Sequence, residues 1–312
     1  MPIERRTRPA DRRKQAAPGA APAARLVVKK TWKMYVGGAF VRSESGRTTE
    51  VRDADGHETH NVARASRKDG RDAVSAALAA FPRWSATTAY LRGQVLYRVA
   101  EVLESRATEL EAGLVRALGV APGDARREVA ASVDRAVSWA GWTDKFQSLF
   151  ASANPVAGPH FGFTVPEPIG VVAIVAPSRP SLLGLVSTVL PVIAAGNAAV
   201  VLASEADPRT AVTLAEVFAT SDVPGGVVNV LTGPVGEVAP HLARHLEVDA
   251  LDLWGIDAPL ARTLEEDAAG GVKRVRRRAI AADAWFDDER ATSPSWIEPW
   301  VELKTIWHPV GV

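Results

Sequence analysis

No cysteine occurs anywhere in the 312 residues. That excludes a disulfide framework, a thiolate metal site and a cysteine nucleophile. Charge of one sign is lacking too: 37 Lys and Arg against 36 Asp and Glu leave a formal net charge of +1. No global field therefore points to nucleic acid or to an anionic membrane, and neither is expected as a partner. A long unbroken apolar run is also missing. Residues 181–203 come nearest, but Pro191, Gly196 and Asn197 interrupt them, and a spanning helix needs about 20 uninterrupted apolar residues. A buried helix, a turn and a buried strand are expected there instead. Residues 1–26 carry Arg5, Arg6, Arg8, Arg12, Arg13 and Lys14 with no apolar segment after them. They read as a disordered basic tail rather than a secretory signal, and a cytoplasmic location is expected.

What the chain has is apolar substance and two kinds of order. Hydrophobic residues make up 47%, enough for a sizeable core. Residues 32–41 read as a hairpin turning at Gly37 and Gly38, and residues 51–65 as polar and irregular. A helix is predicted from about 68 to 80, closed by Pro82 and Trp84. One long helix is predicted over 89–118, because Leu91, Val95, Val99, Val102, Leu103, Leu110 and Leu114 keep the three-or-four spacing of one face. Gly119 and Pro122 stop it. A further helix over 123–150 and an extended hairpin over 151–168 follow.

From residue 169 the pattern changes. Short runs of branched residues near 170–176, 198–202, 227–231 and 248–253 alternate with helical segments near 182–195, 210–220, 235–246 and 259–269. The strands are continuous apolar runs, as in strands covered by helices on both faces. This order predicts an α/β fold, a doubly wound Rossmann-like parallel sheet with N-terminal helices and a small β element for oligomerisation. Order decays after Lys273, and the chain ends on an apolar strand over 300–308. The basic run from Lys273 to Arg278 reads as a surface balanced by Asp283, Asp287, Asp288 and Glu289. His241 and His245 are four apart on a predicted helix, but with no acidic partner spaced to complete a metal site they read as a surface face, and no metal is expected.

Several stretches together resemble the aldehyde dehydrogenase superfamily. They are MYVGGAFVRSESG at 34–46, the helix pair at 73–112, PEPIGVVAIVAP at 166–177, LPVIAAGNAAVVL with VPGGVVNVLTG, and WVELKTIW at 300–307. The resemblance implies oxidation of an aldehyde with NAD or NADP, through attack by a cysteine and activation of water by a glutamate. It implies a catalytic domain inserted between the cofactor domain and the closing strand. Here only residues 276–299 occupy that place, too few for a domain with its own core. The domains expected on this basis are the N-terminal part of the cofactor-type domain (27–150), an oligomerisation hairpin (151–167), the dinucleotide-type domain (168–278), a linker replacing the catalytic domain (279–298) and an oligomerisation strand (299–312).

The site residues expected from the resemblance are a degraded set. Pro177 is kept, but Ser178 and Arg179 stand where the family has Trp-Asn, so Arg179 replaces the oxyanion asparagine. Ala203 replaces a ribose-holding lysine, and Glu205 matches the acidic residue near that ribose. Gly226, Gly233 and Gly255 remain, while Trp254 and Leu260 crowd the last phosphate-facing turn. No catalytic residue is expected. A non-catalytic subunit follows, pairing with itself or with a full-length aldehyde dehydrogenase through 151–167 and 299–308. The alternatives are an NAD(P)-dependent oxidoreductase acting without a thiol and an anion- or nucleotide-sensing module built on Arg179.

Overall fold

The structure, a computed structural model, describes residues 30–311, so the basic tail expected over 1–26 lies outside the described residues. Five short strands come first: β1 (Thr31–Trp32), β2 (Met34–Val36), β3 (Ala39–Val41), β4 (Thr48–Arg52) and β5 (Thr59–Ala63). Gly37 and Gly38, both at positive φ, make the tight turn between β2 and β3. The stretch expected to be irregular contains instead the antiparallel pair of β4 and β5. Its polar residues are the solvated face of that hairpin, while Val62 and Ala63 turn inward.

Helix α1 (Arg67–Ser85) starts on a capping box, with Ser66 and Asp69 each accepting the other's backbone N–H. It continues through Pro82, past the expected stop. The proline falls in the last turn, and Trp84 pins that turn by donating Nε1–H to the Ile193 carbonyl at 2.9 Å. The single long helix expected next is two, α2 (Ala89–Ser105) and α3 (Ala107–Leu118). They break at Arg106, whose guanidinium bonds Glu109 and, at 2.7 Å, Glu216. Gly119 ends α3 in the left-handed region. Pro122 does more than stop a helix: it opens α4 (Pro122–Trp142), where a missing N–H costs nothing. A short α5 (Phe146–Phe150) leads into the hairpin of β6 (Ser152–Asn154) and β7 (His160–Pro168).

The alternating half runs β8 (Val171–Val175), α6 (Ser181–Ala194), β9 (Ala198–Leu202), α7 (Pro208–Ala219), β10 (Val228–Leu231), α8 (Val235–Arg244), β11 (Ala250–Trp254), α9 (Ala258–Ala269) and β12 (Arg274–Arg278). The seven-stranded sheet has the order β12-β11-β8-β9-β10-β2-β3. Its five later strands are mutually parallel, and β2 joins β10 antiparallel. Apolar clusters cover both faces. One gathers α2, α4, α6 and α7 over Val172 and Ile174, and the other gathers α1, α8 and α9 over Val171, Ala173 and Val175. Every residue of α6 is buried. The apolar stretch that raised a membrane question is therefore the innermost helix. No helix among the described residues is long and apolar enough to cross a membrane.

Order does not decay after Lys273. The basic run is β12, the edge strand beside β11. Residues 283–300 then form three 3-10 turns and α10 (Asp288–Ala291). This segment buries Trp285 and Trp296 against Trp254 of β11, and Trp300 beside Arg278 of β12. The last strand, β13 (Val301–Pro309), pairs along its whole length with β7. Asn197, fully buried, ties the parts together: its Oδ1 accepts from Gly170 N at 2.9 Å, and its Nδ2 donates to the Val192 and Trp300 carbonyls.

Candidate cofactor crevice

Chain order reverses direction between β8 and β11. From β8 the sheet grows through β9 and β10 on one side, and then through β11 and β12 on the other. In such a sheet the crevice at the carboxyl ends of the strands, at this switch point, is the natural ligand site. The expected residues fall along that edge: Pro177 and Arg179 after β8, Ala203 and Glu205 after β9, Gly233 after β10 and Gly255 after β11. Gly226 is the exception. It precedes β10 and so lies at the opposite, amino edge. A Cβ there would come 2.6 Å from the Ala76 carbonyl oxygen, so its role is the close passage of α1.

A helix that starts at this edge presents unpaired N–H groups and a positive dipole end, which is what holds phosphate in dinucleotide sites. Here each of the four starts is already met by an acidic side chain of the chain itself. Glu128 of α4 accepts from Leu182 N at 2.7 Å and Leu183 N at 3.3 Å, at the start of α6. Asp207 accepts from Thr210 N at the start of α7. Glu205 accepts from Val235 N at 2.8 Å at the start of α8. Asp257 accepts from Leu260 N at 2.8 Å at the start of α9. Glu128 is 6% exposed. Burial pushes its carboxyl above the ordinary value, against the pull of the two N–H groups. In either proton state its oxygen holds both donors.

Two cavities flank this edge. One of about 320 Å³ lies under the β4–β5 hairpin and is lined by Glu205, Pro208, Gly233 and Pro234. The other, of about 180 Å³, lies beside Arg179. The Arg179 side chain is directed at the protein, donating Nη2–H to the Leu118 carbonyl at 3.2 Å. Ala203 is 1% exposed and offers only its backbone, which bonds Leu231. Ser178 carries a hydroxyl bonded to Ser204 at 3.1 Å. Gly255 has positive φ and open space around it, but the neighbouring Trp254 turns inward.

Trp254 is the centre of an aromatic cluster. It stacks on Trp296 with ring centroids 5.6 Å apart, and its centroid is 5.0 Å from that of Trp285. Its Nε1–H donates to Asp252 at 2.9 Å. Arg278 reaches Asp252 at 3.2 Å and lies 5.2–5.5 Å from the rings of Trp254, Trp296 and Trp300. Within the basic run Arg278 thus pairs with Asp252 and Arg274 approaches Glu302 at 4.0 Å, and among the described residues none of the run pairs with the acidic stretch after it. Asp288 pairs instead with the buried Arg135, and Asp287 with Arg290. His241 and His245 do not share a helix, because α8 ends at Arg244.

Glu128 and Arg135 were not anticipated, although the sequence carried a signal for both. They fall in phase with Ala125, Val129, Ser132, Ala136 and Trp139 on the buried face of α4. A charged residue on an apolar stripe needs a buried partner. Here Leu182 and Leu183 N–H serve Glu128, and Ser187 and Trp285 serve Arg135.

A dinucleotide finds a poor fit in these residues. Two like unit charges about 4 Å apart repel by about 4 kcal/mol near a protein surface, about three decades of affinity. Phosphates at the starts of α7, α8 and α9 would meet carboxylates, and at the start of α6 the Glu128 side chain already takes the N–H groups of Leu182 and Leu183.

A family model for the aldehyde dehydrogenase family matches residues 40–278. Human cytosolic 10-formyltetrahydrofolate dehydrogenase is 31% identical over 259 residues, which are 80% of this chain and 28% of that protein. Among solved structures, HpcC from Thermus thermophilus is similar with a TM-score of 0.75 and 30% identity, over 80% of this chain and 48% of that one. An NAD-dependent aldehyde dehydrogenase from Sinorhizobium meliloti is similar at 0.75 and 28%, over 80% and 50%. The chain therefore spans little more than a quarter of the curated relative and about half of the solved ones. With the match covering most of its length and the fold agreeing, the chain belongs to the aldehyde dehydrogenase family.

Proposed function

We propose that this chain is a non-catalytic member of its family, a subunit or regulatory partner of an active aldehyde dehydrogenase. The observation that carries the reading is the acidic side chain at every helix start along the crevice. Catalysis by thiol attack needs a cysteine, and the sequence has none. The surface offered to a partner is β13, the longer edge strand of the β13-β7-β6 sheet, where Leu303, Ile306 and Trp307 are exposed. A long apolar edge strand is a template for pairing.

Titration of NAD and NADP into the purified chain by calorimetry tests this reading. No heat of binding is expected from the chain alone. Heat is expected only in proportion to an added full-length relative, with both proteins eluting together. Micromolar binding by the chain alone would overturn it. That result would favour a second reading, an NAD(P)-dependent oxidoreductase, for which the cavity of about 320 Å³ beside Glu205 and Gly233 speaks.

A further inference from the structure

A separate cavity of about 930 Å³ opens between the start of α1 and the end of α8. None of the crevice residues lines it. Its walls carry Arg47, Arg67, Lys68, Arg71 and Arg244, with His241 and His245, against the single carboxylate of Glu44. That carboxylate is engaged by Ser66 Oγ at 3.0 Å. Lys68 has Asp72 at 3.0 Å, and Arg244 has Asp267 at 2.8 Å. Among the described residues no carboxylate pairs with Arg47 or Arg67, and Arg71 has only a 3.7 Å approach to Asp72. A chain with a net charge of +1 has thus gathered unneutralised guanidinium groups from separate segments around one hollow.

We propose that this cavity binds a small soluble diphosphate-bearing anion. Planar guanidinium forks, here Arg47 from the loop before β4 and Arg67 and Arg71 from α1 lining one cavity, match phosphate oxygens by paired charge-assisted hydrogen bonds. Like-sign walls around a concave space concentrate an anion there. The volume suits a small molecule rather than a single ion. His241 and His245 line the same cavity, and burial is the main cause that lowers the pKa of both imidazoles.

The test uses pyrophosphate as the probe, titrated by calorimetry and checked by thermal shift, since a native-state ligand raises the unfolding midpoint. One-to-one binding is expected, tighter than for inorganic phosphate. It should weaken at least tenfold in the Arg47→Gln/Arg67→Gln double variant. Both residues are exposed, so the variant should fold with an unchanged far-UV spectrum. Arg277→Gln, on the distant β12, should bind as the unaltered chain does. Silence toward pyrophosphate, or equal weakening by Arg277→Gln, would overturn the proposal. So would tighter binding of a short DNA duplex or of phosphatidylserine vesicles through the same arginines, which would make this face a polymer or lipid surface.

Discussion

Asp252 is 1% exposed, in the middle of the sheet's β11 strand. Burial pushes its carboxyl up from the ordinary value, while Arg278 and the Trp254 N–H draw it down. Removing one partner of a buried ion pair strands the other charge. Arg278→Ala is therefore expected to destabilise the fold by about 3–5 kcal/mol, read as a lower urea midpoint. The Asp252→Leu/Arg278→Met double variant should recover most of that loss, because apolar replacement of the whole pair removes the desolvation cost as well. Glu128 makes a second, pH-dependent case. Its folded-state pKa is raised, chiefly by burial. Its contribution to stability is thus fully present below the unfolded-state pKa and is lost as pH rises through the folded value. Compared with Glu128→Gln, the unaltered chain should lose relative stability between acid and neutral pH. A stability difference that stays flat over that range would contradict this assignment.

Among the elements, β13 is the one whose sequence exceeds what its own sheet demands. It bonds β7 over nine registered pairs and leaves its other edge open. On the proposed pairing through β13, Leu303→Lys with Trp307→Lys is expected to elute as a monomer by size-exclusion chromatography with light scattering where the unaltered chain elutes as an assembly. Stability should change by no more than about 0.5 kcal/mol per site, since both side chains are exposed. The strand itself was legible, as were β8, β9, β10, β11 and the helices between them, because continuous apolar runs separated by helical periodicity admit few other readings. The hairpin of β4 and β5 was not, since a two-faced polar strand carries little hydrophobic pattern. The break at Arg106 was also hidden. It preserves the apolar phase of α2 and α3, and only the distant Glu216 explains why the chain turns there. In the crevice, the substitutions at Arg179, Ala203 and Trp254 could be read from sequence. The acid at the start of α6 could not be assigned, because Glu128 reaches it from a helix more than fifty positions away.

At the scale of the molecule, one sheet separates two apolar clusters, and residues 283–300 complete the first of them. The side chain of Asn197 records how late that completion comes. It joins Gly170, at the entry to the central sheet, to the carbonyl of Trp300 just before β13. Strand β7 likewise waits for β13, across more than a hundred residues of intervening chain. On a ribosome, where addition proceeds N-terminal first at about 5–20 residues per second, the sheet would emerge seconds before its partners. During that interval Trp254 would lack the cover of Trp285 and Trp296, and Arg135 would lack the Trp285 carbonyl. Residues 285–300 thus close contacts that the preceding chain leaves unmet: the ring of Trp254 and the side-chain amide of Asn197 both wait for them.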